Sequence, residues 1–361
     1  MTYARKRLIK DVCSIQTAPY REHHVRKFIK SFCHQRNLHF TEDRYGNLIV
    51  CYGNNYCNPL FCFSSHMDHP GFVTEKDSQD GWATALFYGG VESSFFPLSK
   101  VRFFSHGREI QGAVKKVERM EKNGTRRVLV KVDGGIKAGD LGMWDLEPFY
   151  ENNHLLYSRA CDDLIGCSAI LCLLDECVKR KIPRQFLGIF TSAEEPGLHG
   201  AKQLCLARML PESCFPISVE TSSQLPGVSP GDGVVVRVGD KVSVFDDNVT
   251  RFMNTIATEL SKRDASFSFR RKLMDGGRCE ASVYQQHGYT TGGLCVPLAN
   301  YHNRNRDSMK IDLEYVDAND VNSMIELCLA IIDNSTQLSS SPAIPRYRES
   351  QGKLGEFFLW E

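Results

Sequence analysis

The sequence predicts an α/β protein, a mixed sheet flanked by helices and interrupted by an inserted all-β domain. Three observations predict it. From residue 158 to 335, strand-length apolar runs alternate with helix-length ones, the pattern of a layered α/β sheet. From 72 to 157 the texture changes to short β-branched and aromatic runs separated by turn residues, with no helical periodicity. The chain has 361 residues, more than the roughly 150 expected of one domain. The expected division is residues 1–71 and 158–335 for the α/β domain, 72–157 for the insertion and 336–361 for a polar tail.

The elements follow in order. Leu8, Val12, Ile15, then Val25, Phe28 and Ile29 recur at helical spacing, broken near Thr17-Ala18-Pro19. Asp43 to Asn47 reads as a turn into a strand over Leu48–Tyr52, and Leu60–Phe63 as a second, buried strand. Trp82–Tyr88, Val101–Phe104, Ile110–Val117 and Arg127–Val132 are the strand candidates of the insertion. After it come a helix over Leu164–Val178, a strand over Phe186–Phe190, a helix over Leu198–Ala207 and a strand over Phe215–Val219, weakened at Pro216. A helix over Val249–Lys262, a strand over Gly292–Val296 and a closing helix over Val316–Ile332 complete the domain. The tail opens at Ser339-Ser340-Ser341-Pro342 and ends in the apolar Phe357–Trp360.

Composition excludes several classes of function. The hydrophobic share is 42%, the charged share 24% and the net charge +1, so neither nucleic acid nor an anionic membrane is an expected partner. No apolar run approaches the roughly 20 residues that span a bilayer. The basic N-terminus lacks the apolar stretch of a secretory signal. The 14 cysteines show no C-x-x-C pair. Most of them read as small buried hydrophobes in a reducing cytoplasm.

The chemistry gathers where strands end. In open α/β sheets, ligands bind beyond the carboxyl ends of the strands. His66 and Asp68 follow the strand ending at Phe63, Glu194-Glu195 follow Phe190, Glu220 follows Val219, and Tyr301-His302 lie in the loop after Val296. Asp162-Asp163 stand just before the helix at Leu164. Each piece alone has a bland reading. Asp162-Asp163 could cap a helix, Glu194-Glu195 could favour a helix dipole, and His302 could be a surface residue. Together they put a carboxylate or an imidazole at five places on one rim. Two imidazoles with several carboxylates suit zinc, or cobalt or manganese. Two ions sharing a carboxylate would use the whole set, where one would leave ligands unpaired.

Four motifs carry a resemblance: Ser65-His66-Met67-Asp68-x-x-Gly71, Ala160-Cys161-Asp162-Asp163-x-Ile165-Gly166-Cys167, Thr191-Ser192-x-Glu194-Glu195-x-Gly197-Leu198-x-Gly200-Ala201 and Tyr301-His302, with Gly139-Asp140-Leu141-Gly142 closing the insertion. Over about residues 5–335 the chain resembles the tetrahedral aminopeptidase and glutamyl aminopeptidase family of co-catalytic zinc peptidases, within the zinc exopeptidase clan. The resemblance implies a dinuclear metal aminopeptidase acting on short peptides. Asp162 would bridge the ions, His66 and Glu220 complete one, and Glu195 and His302 the other. Asp68 would orient His66, and Glu194 would act as general base. The insertion would be the family's small barrel domain, and the chain would form homo-oligomers, from dimers to dodecamers. Four stretches depart from the family: Glu220 for Asp, Leu164 for Arg, Gly276–Ala281, and Asn300-Tyr301. By the resemblance, the positions of the last three departures shape the substrate end. A deacylase or carboxypeptidase of the same clan, or a non-catalytic descendant used for binding, are the competing readings.

Overall fold

In a computed structural model, residues 1–53, 61–121 and 124–338 are described. The expected strand residue Leu60 and the tail from Ser339 lie outside them. Alternation within the first strands builds a two-faced sheet. Leu48, Val50, Phe61, Phe63, Phe186 and Phe190 face one core, and Ile49, Cys51, Cys62, Leu187 and Ile189 face another. That is the period of two of a strand covered on both sides.

Strands β1 (His39–Glu42), β2 (Leu48–Tyr52) and β3 (Phe61–His66) precede the insertion. The insertion supplies β4 (Gly71–Thr74), β5 (Trp82–Tyr88), β6 (Lys100–Ser105), β7 (Arg108–Met120), β8 (Arg126–Val132) and β9 (Leu141–Trp144). These close a barrel in the order β4-β5-β8-β7-β6-β9. Its interior is aromatic: Phe72 meets Trp144 and Phe87, each with ring centroids 4.8 Å apart, and Phe96 packs on Phe87. β10 (Phe149–Asn152) and β11 (Leu155–Ser158) leave the barrel for a separate three-stranded sheet.

The chain then returns through β12 (Phe186–Thr191), β13 (Phe215–Ser223), β14 (Val234–Gly239), β15 (Phe269–Leu273) and β16 (Gly292–Leu298). A two-residue ladder, β17 (Arg304–Asn305) with β18 (Lys310–Ile311), precedes β19 (Glu314–Asp317), which pairs with β11. The main sheet runs β1-β2-β12-β3-β13-β16-β14-β15. Its centre, β12-β3-β13-β16, is parallel, so four carboxyl ends share one rim.

Helices α1 (Tyr3–Cys13), α2 (His23–Gln35), α3 (Cys161–Arg180), α5 (Asp247–Arg263) and α7 (Ala318–Asp333) contribute to the larger core. α4 (His199–Leu206) and α6 (Glu280–Gln286) cover the other face. In α2, Val25, Ile29, Phe32 and Cys33 form the buried stripe at helical spacing. α5 begins where the Asp246 side chain accepts the N–H of Val249. At Gly188 a β-carbon would stand 2.9 Å from Ile170 of α3, so glycine lets that helix lie close on β12. Every described cysteine is buried and free. No helix among the described residues is long and apolar enough to cross a membrane.

Candidate active site

The parallel rim gathers the expected residues. His66 ends β3, Glu194 and Glu195 lie in the loop after β12, Asp162 lies at the start of α3, and His302 follows β16. Glu220 differs from the sequence reading. It lies inside β13, because β16 continues to Leu298 and gives Thr221, Ser222 and Ser223 pairing partners.

Asp162 stands between the two imidazoles. Its Oδ1 is 3.4 Å from Nε2 of His66, and its Oδ2 is 3.4 Å from Nε2 of His302. Glu195 Oε1 lies 3.2 Å from the same His302 nitrogen. Three groups of side chains bring ligand atoms within 4.8 Å of one another: His66 with Glu194 and Glu195, His66 with Asp163 and Glu220, and Asp162 with Glu195 and His302. The larger surface hollows lie elsewhere, one of them beside α1 and α2, and none of these residues lines them.

Several backbone devices hold this arrangement. Asp68 sits two residues after His66, yet the His66 Nδ1 is nearer the Asp68 carbonyl, at 3.1 Å, than its carboxylate, at 3.5 Å. The Asp68 carboxylate instead accepts the N–H of Glu194 at 2.9 Å and of Glu195 at 3.0 Å, one oxygen each. The same loop is held by Glu22, which accepts from Ala193 N–H, and Asn47, which accepts from Ser192 N–H. His302 has φ +58°, a left-handed conformation that costs an ordinary residue about 1 kcal/mol. Glu314 Oε1 receives its N–H at 2.7 Å, while Glu314 Oε2 receives those of Cys161 and Asp162. One buried carboxylate thus joins the loops of Asp162 and His302. The barrel also reaches the site: Gly90 O lies 3.2 Å from the His302 Nδ1, and Glu92 pairs with Arg304 and Arg306 beyond that histidine.

Asp163 turns away from Asp162. Its carboxylate accepts from Ser65 Oγ and from the N–H groups of Gly166 and Thr221. The sequence reading has no signal for Glu314, takes Asn47 only as part of a turn and Glu280 only as a departure at the substrate end; each acts across a long chain separation. Of the departures expected at the substrate end, Leu164 and Cys279 are instead buried in the core. Glu280 accepts from Ser64 and Thr191 on the covered face of the sheet. Helix α6 draws these last two inward, leaving Arg278 and Tyr301 at the cavity beside Glu220.

The electrostatics are those of a cation site. Burial opposes charge on His66, but Glu194, Asp162 and Asp68 outweigh it and hold its pKa well above the usual imidazole range. His302 is pushed up to about 10 against burial, by Glu195 and Asp162. Burial, reinforced by Glu195 and Glu220 against the opposing His66, raises the Glu194 carboxyl well above the ordinary range. Asp162, despite burial, is held low by the two histidines. Protons alone balance this cluster only by charging both imidazoles and neutralising acids, whereas divalent cations would balance it directly. Glu195 Oε1 and His302 Nε2 are buried without a hydrogen-bond partner, as atoms reserved for a metal would be. The donor set of imidazole nitrogens and carboxylate oxygens fits such an ion.

Comparison with known proteins gives the same direction. The family model for M42 glutamyl aminopeptidase matches residues 46–327. The chain belongs to the M42 glutamyl aminopeptidase family. It is therefore a metal-dependent aminopeptidase. A lysyl aminopeptidase of Pyrococcus furiosus is 23% identical over 329 residues, which cover 83% of this chain and 88% of that protein. Among solved structures, a TET aminopeptidase from a marine-sediment Thaumarchaeota archaeon superposes with TM-score 0.77 at 17% identity, covering 92% of this chain and 97% of that one. The Pyrococcus horikoshii TET1 peptidase superposes at 0.75 with 19% identity, covering 91% and 99%. An aminopeptidase of Desulfurococcus kamchatkensis does so at 0.76 with 20% identity, covering 95% and 99%.

Proposed function

We propose that this M42 chain removes N-terminal residues from short peptides using two divalent ions, zinc first, with cobalt or manganese able to substitute. The observation that carries the reading is the divided Asp162 carboxylate, with one oxygen turned to each histidine. Asp162 would be shared, His66 and Glu220 would complete one ion, and Glu195 and His302 the other. Bound there, the ions would supply a water of lowered pKa and polarise the scissile carbonyl.

The chain's own residues do the rest. Glu194 takes a proton from the attacking water and returns it to the leaving amine. Its environment suits that role, since burial and neighbouring acids raise its affinity for a proton. Asp68 fixes Glu194 and Glu195 through their adjacent N–H groups. Neighbouring side chains of one loop can then serve metal and water separately. His302 is held from its far side by the barrel.

We further propose a cytoplasmic homo-oligomer. The Pyrococcus horikoshii relative is described as assembling into a tetrahedron or a large octahedral shell, and the fold is shared with it.

Glu194→Gln tests the assignment. The variant is expected to keep its zinc and to lose about 10²- to 10⁴-fold in kcat on aminoacyl-arylamides. Parental turnover would remove Glu194 from the chemistry. Faster cleavage of N-acetylated than of free-amine peptides would move the activity to a deacylase.

A further inference from the structure

The phenol of Tyr301 stands beside both halves of the metal-binding cluster and belongs to neither. Its ring stacks on the His302 imidazole, with centroids 3.8 Å apart and planes 25° from parallel. The Arg304 guanidinium lies 5.5 Å from the centre of the same ring. Arg304 also donates from Nε to the Tyr301 carbonyl at 3.0 Å and is itself held by Glu92. Ring and backbone are thus both tied down.

The hydroxyl is not. It forms no hydrogen bond among the described residues. A β-carbon on Gly277 would stand 3.9 Å from it, and Tyr301 lines the cavity that Glu220 also lines. Burial, with the charges of Asp162, Glu195, Glu194 and Glu220, raises its pKa well above the usual phenol range. Those four acids come from both ligand groups, so the phenol lies close to the whole cluster. An unperturbed phenol, with a pKa of about 10, would carry the same proton at pH 8. Two cations, Arg237 and Arg278, line the same cavity. Tyr301 adds a neutral donor that is fixed by its ring and has no acceptor.

Peptide hydrolysis has a use for such a donor. As the water oxygen bonds to the carbonyl carbon, the C=O π pair moves onto the carbonyl oxygen and Glu194 takes the water proton. As the C–N bond breaks, that pair re-forms the carbonyl and Glu194 protonates the leaving nitrogen. The carbonyl oxygen carries full charge only between these two steps. A preorganised hydrogen bond to it is therefore stronger there than in the bound substrate, which is the condition for raising kcat.

We propose that the Tyr301 hydroxyl is a catalytic hydrogen-bond donor to the scissile carbonyl oxygen, stabilising the tetrahedral oxyanion and keeping its own proton throughout. The inference rests on the aminopeptidase reading above and deepens it.

The test compares the zinc-loaded full chain with Tyr301→Phe, which keeps the ring and its stack and removes one oxygen, and with Tyr301→Leu, which removes the stack as well. Kinetics use the best substrate among leucyl-, lysyl- and glutamyl-arylamides. Calorimetry compares the corresponding free amino acid, whose carboxylate is planar, with the aminoalkylphosphonic acid of the same side chain, whose phosphorus is tetrahedral. Any contact of the phosphonate with zinc is common to parent and variant, so the ratio of their affinities isolates the hydroxyl.

Tyr301→Phe is expected to lower kcat about 10- to 100-fold with little change in KM. It should weaken the phosphonate by about the same factor while binding the amino acid, and zinc in competition with a chelator, as the parent does. Tyr301→Leu should lose zinc affinity in addition. Parental kcat in Tyr301→Phe would overturn the donor assignment and leave the aminopeptidase standing. A loss confined to KM, or one matched by lost zinc, would give Tyr301 a binding or positioning role and overturn the assignment equally. If the parent cleaves no arylamide, the peptidase reading fails and the phosphonate decides alone. A preference for the tetrahedral acid that Tyr301→Phe removes would then support the donor, and equal binding by parent and variant would overturn it.

Discussion

Replacing Glu314 by Gln removes one charge and one acceptor from a residue that touches the candidate metal ligands only at their backbone N–H groups. Its Oε2 accepts from Cys161 N–H at 2.8 Å and Asp162 N–H at 3.1 Å, and its Oε1 from His302 N–H at 2.7 Å. Glutamine offers one acceptor oxygen. In its better orientation the amide keeps the first two bonds and turns its NH₂ toward the His302 N–H. One charge-assisted bond, about 1.5–3 kcal/mol, is lost, and a buried donor is left unpaired. Partial relaxation leaves a net cost of about 2–4 kcal/mol. For 361 residues, an unfolding entropy of about 0.75 kcal/mol/K converts 3 kcal/mol into a fall of about 4 °C in Tm.

The strain at His302 gives the loss a direction. Its left-handed backbone is held by this bond, so the His302 loop should relax first. Metal affinity is then expected to fall about 10- to 100-fold, the usual effect of losing a group that orients a ligand. Competition against a chelator at pH 8 reads the affinity, and thermal unfolding of the metal-free protein reads the stability. pH gives a second control. Burial raises the Glu314 carboxyl to about 7. In the metal-free protein it is ionised at pH 8 and largely protonated at pH 5.5, where the parent itself resembles Gln. The difference between the two proteins should therefore shrink as the pH falls. Equal metal affinity and equal Tm at pH 8 would refute the argument that Glu314 fixes both loops.

Asp68→Asn leaves one acceptor oxygen for the two N–H groups of Glu194 and Glu195, and kcat/KM is expected to drop about 10- to 100-fold with zinc content near parental; parental kinetics would show that the loop is held without it. Burial raises Glu280 to about 7, so the folded state holds this proton more tightly than the unfolded chain does. That stabilisation is complete below the ordinary carboxylate range and is lost as the pH rises through about 7. The Tm of the metal-free parent should therefore fall between pH 5 and 8 relative to Glu280→Gln, and parallel curves for the two would contradict the raised pKa.

The parts of the fold legible in the sequence were those specified by local periodicity. The stripe of α2 and the apolar runs of β2, β3, β12 and β16 were legible for that reason. So was the β texture of the insertion, where Phe72, Phe87 and Phe103 fill a barrel. The short or polar elements were not. β15, Phe269-Arg270-Arg271-Lys272-Leu273, is a sheet edge whose residues are at most partly buried, so no apolar alternation marks it. α6 is seven residues long and exists largely through packing. The sequence pattern starts the closing helix at Val316, but it begins at Ala318, because β19 pairs with β11 through Asp317 and the Asp317 side chain then caps α7.

The candidate site divides the same way. The rim residues could be found because each follows its own strand, and a strand's end is local information. Glu314 could not, because its meaning depends on N–H groups more than 150 residues earlier in the chain. Arg237 is the intermediate case. An arginine inside a valine run is a local anomaly that the sequence displays openly, and strands covered on both faces rarely carry one. Its surroundings come from packing: β14 lies beside β16, with β13 and β16 between it and β3, and Arg237 lines the cavity that Glu220 also lines. A charge that breaks an apolar pattern is thus visible in the sequence, but the groups that surround it are decided by strands far apart in the chain and paired across the sheet.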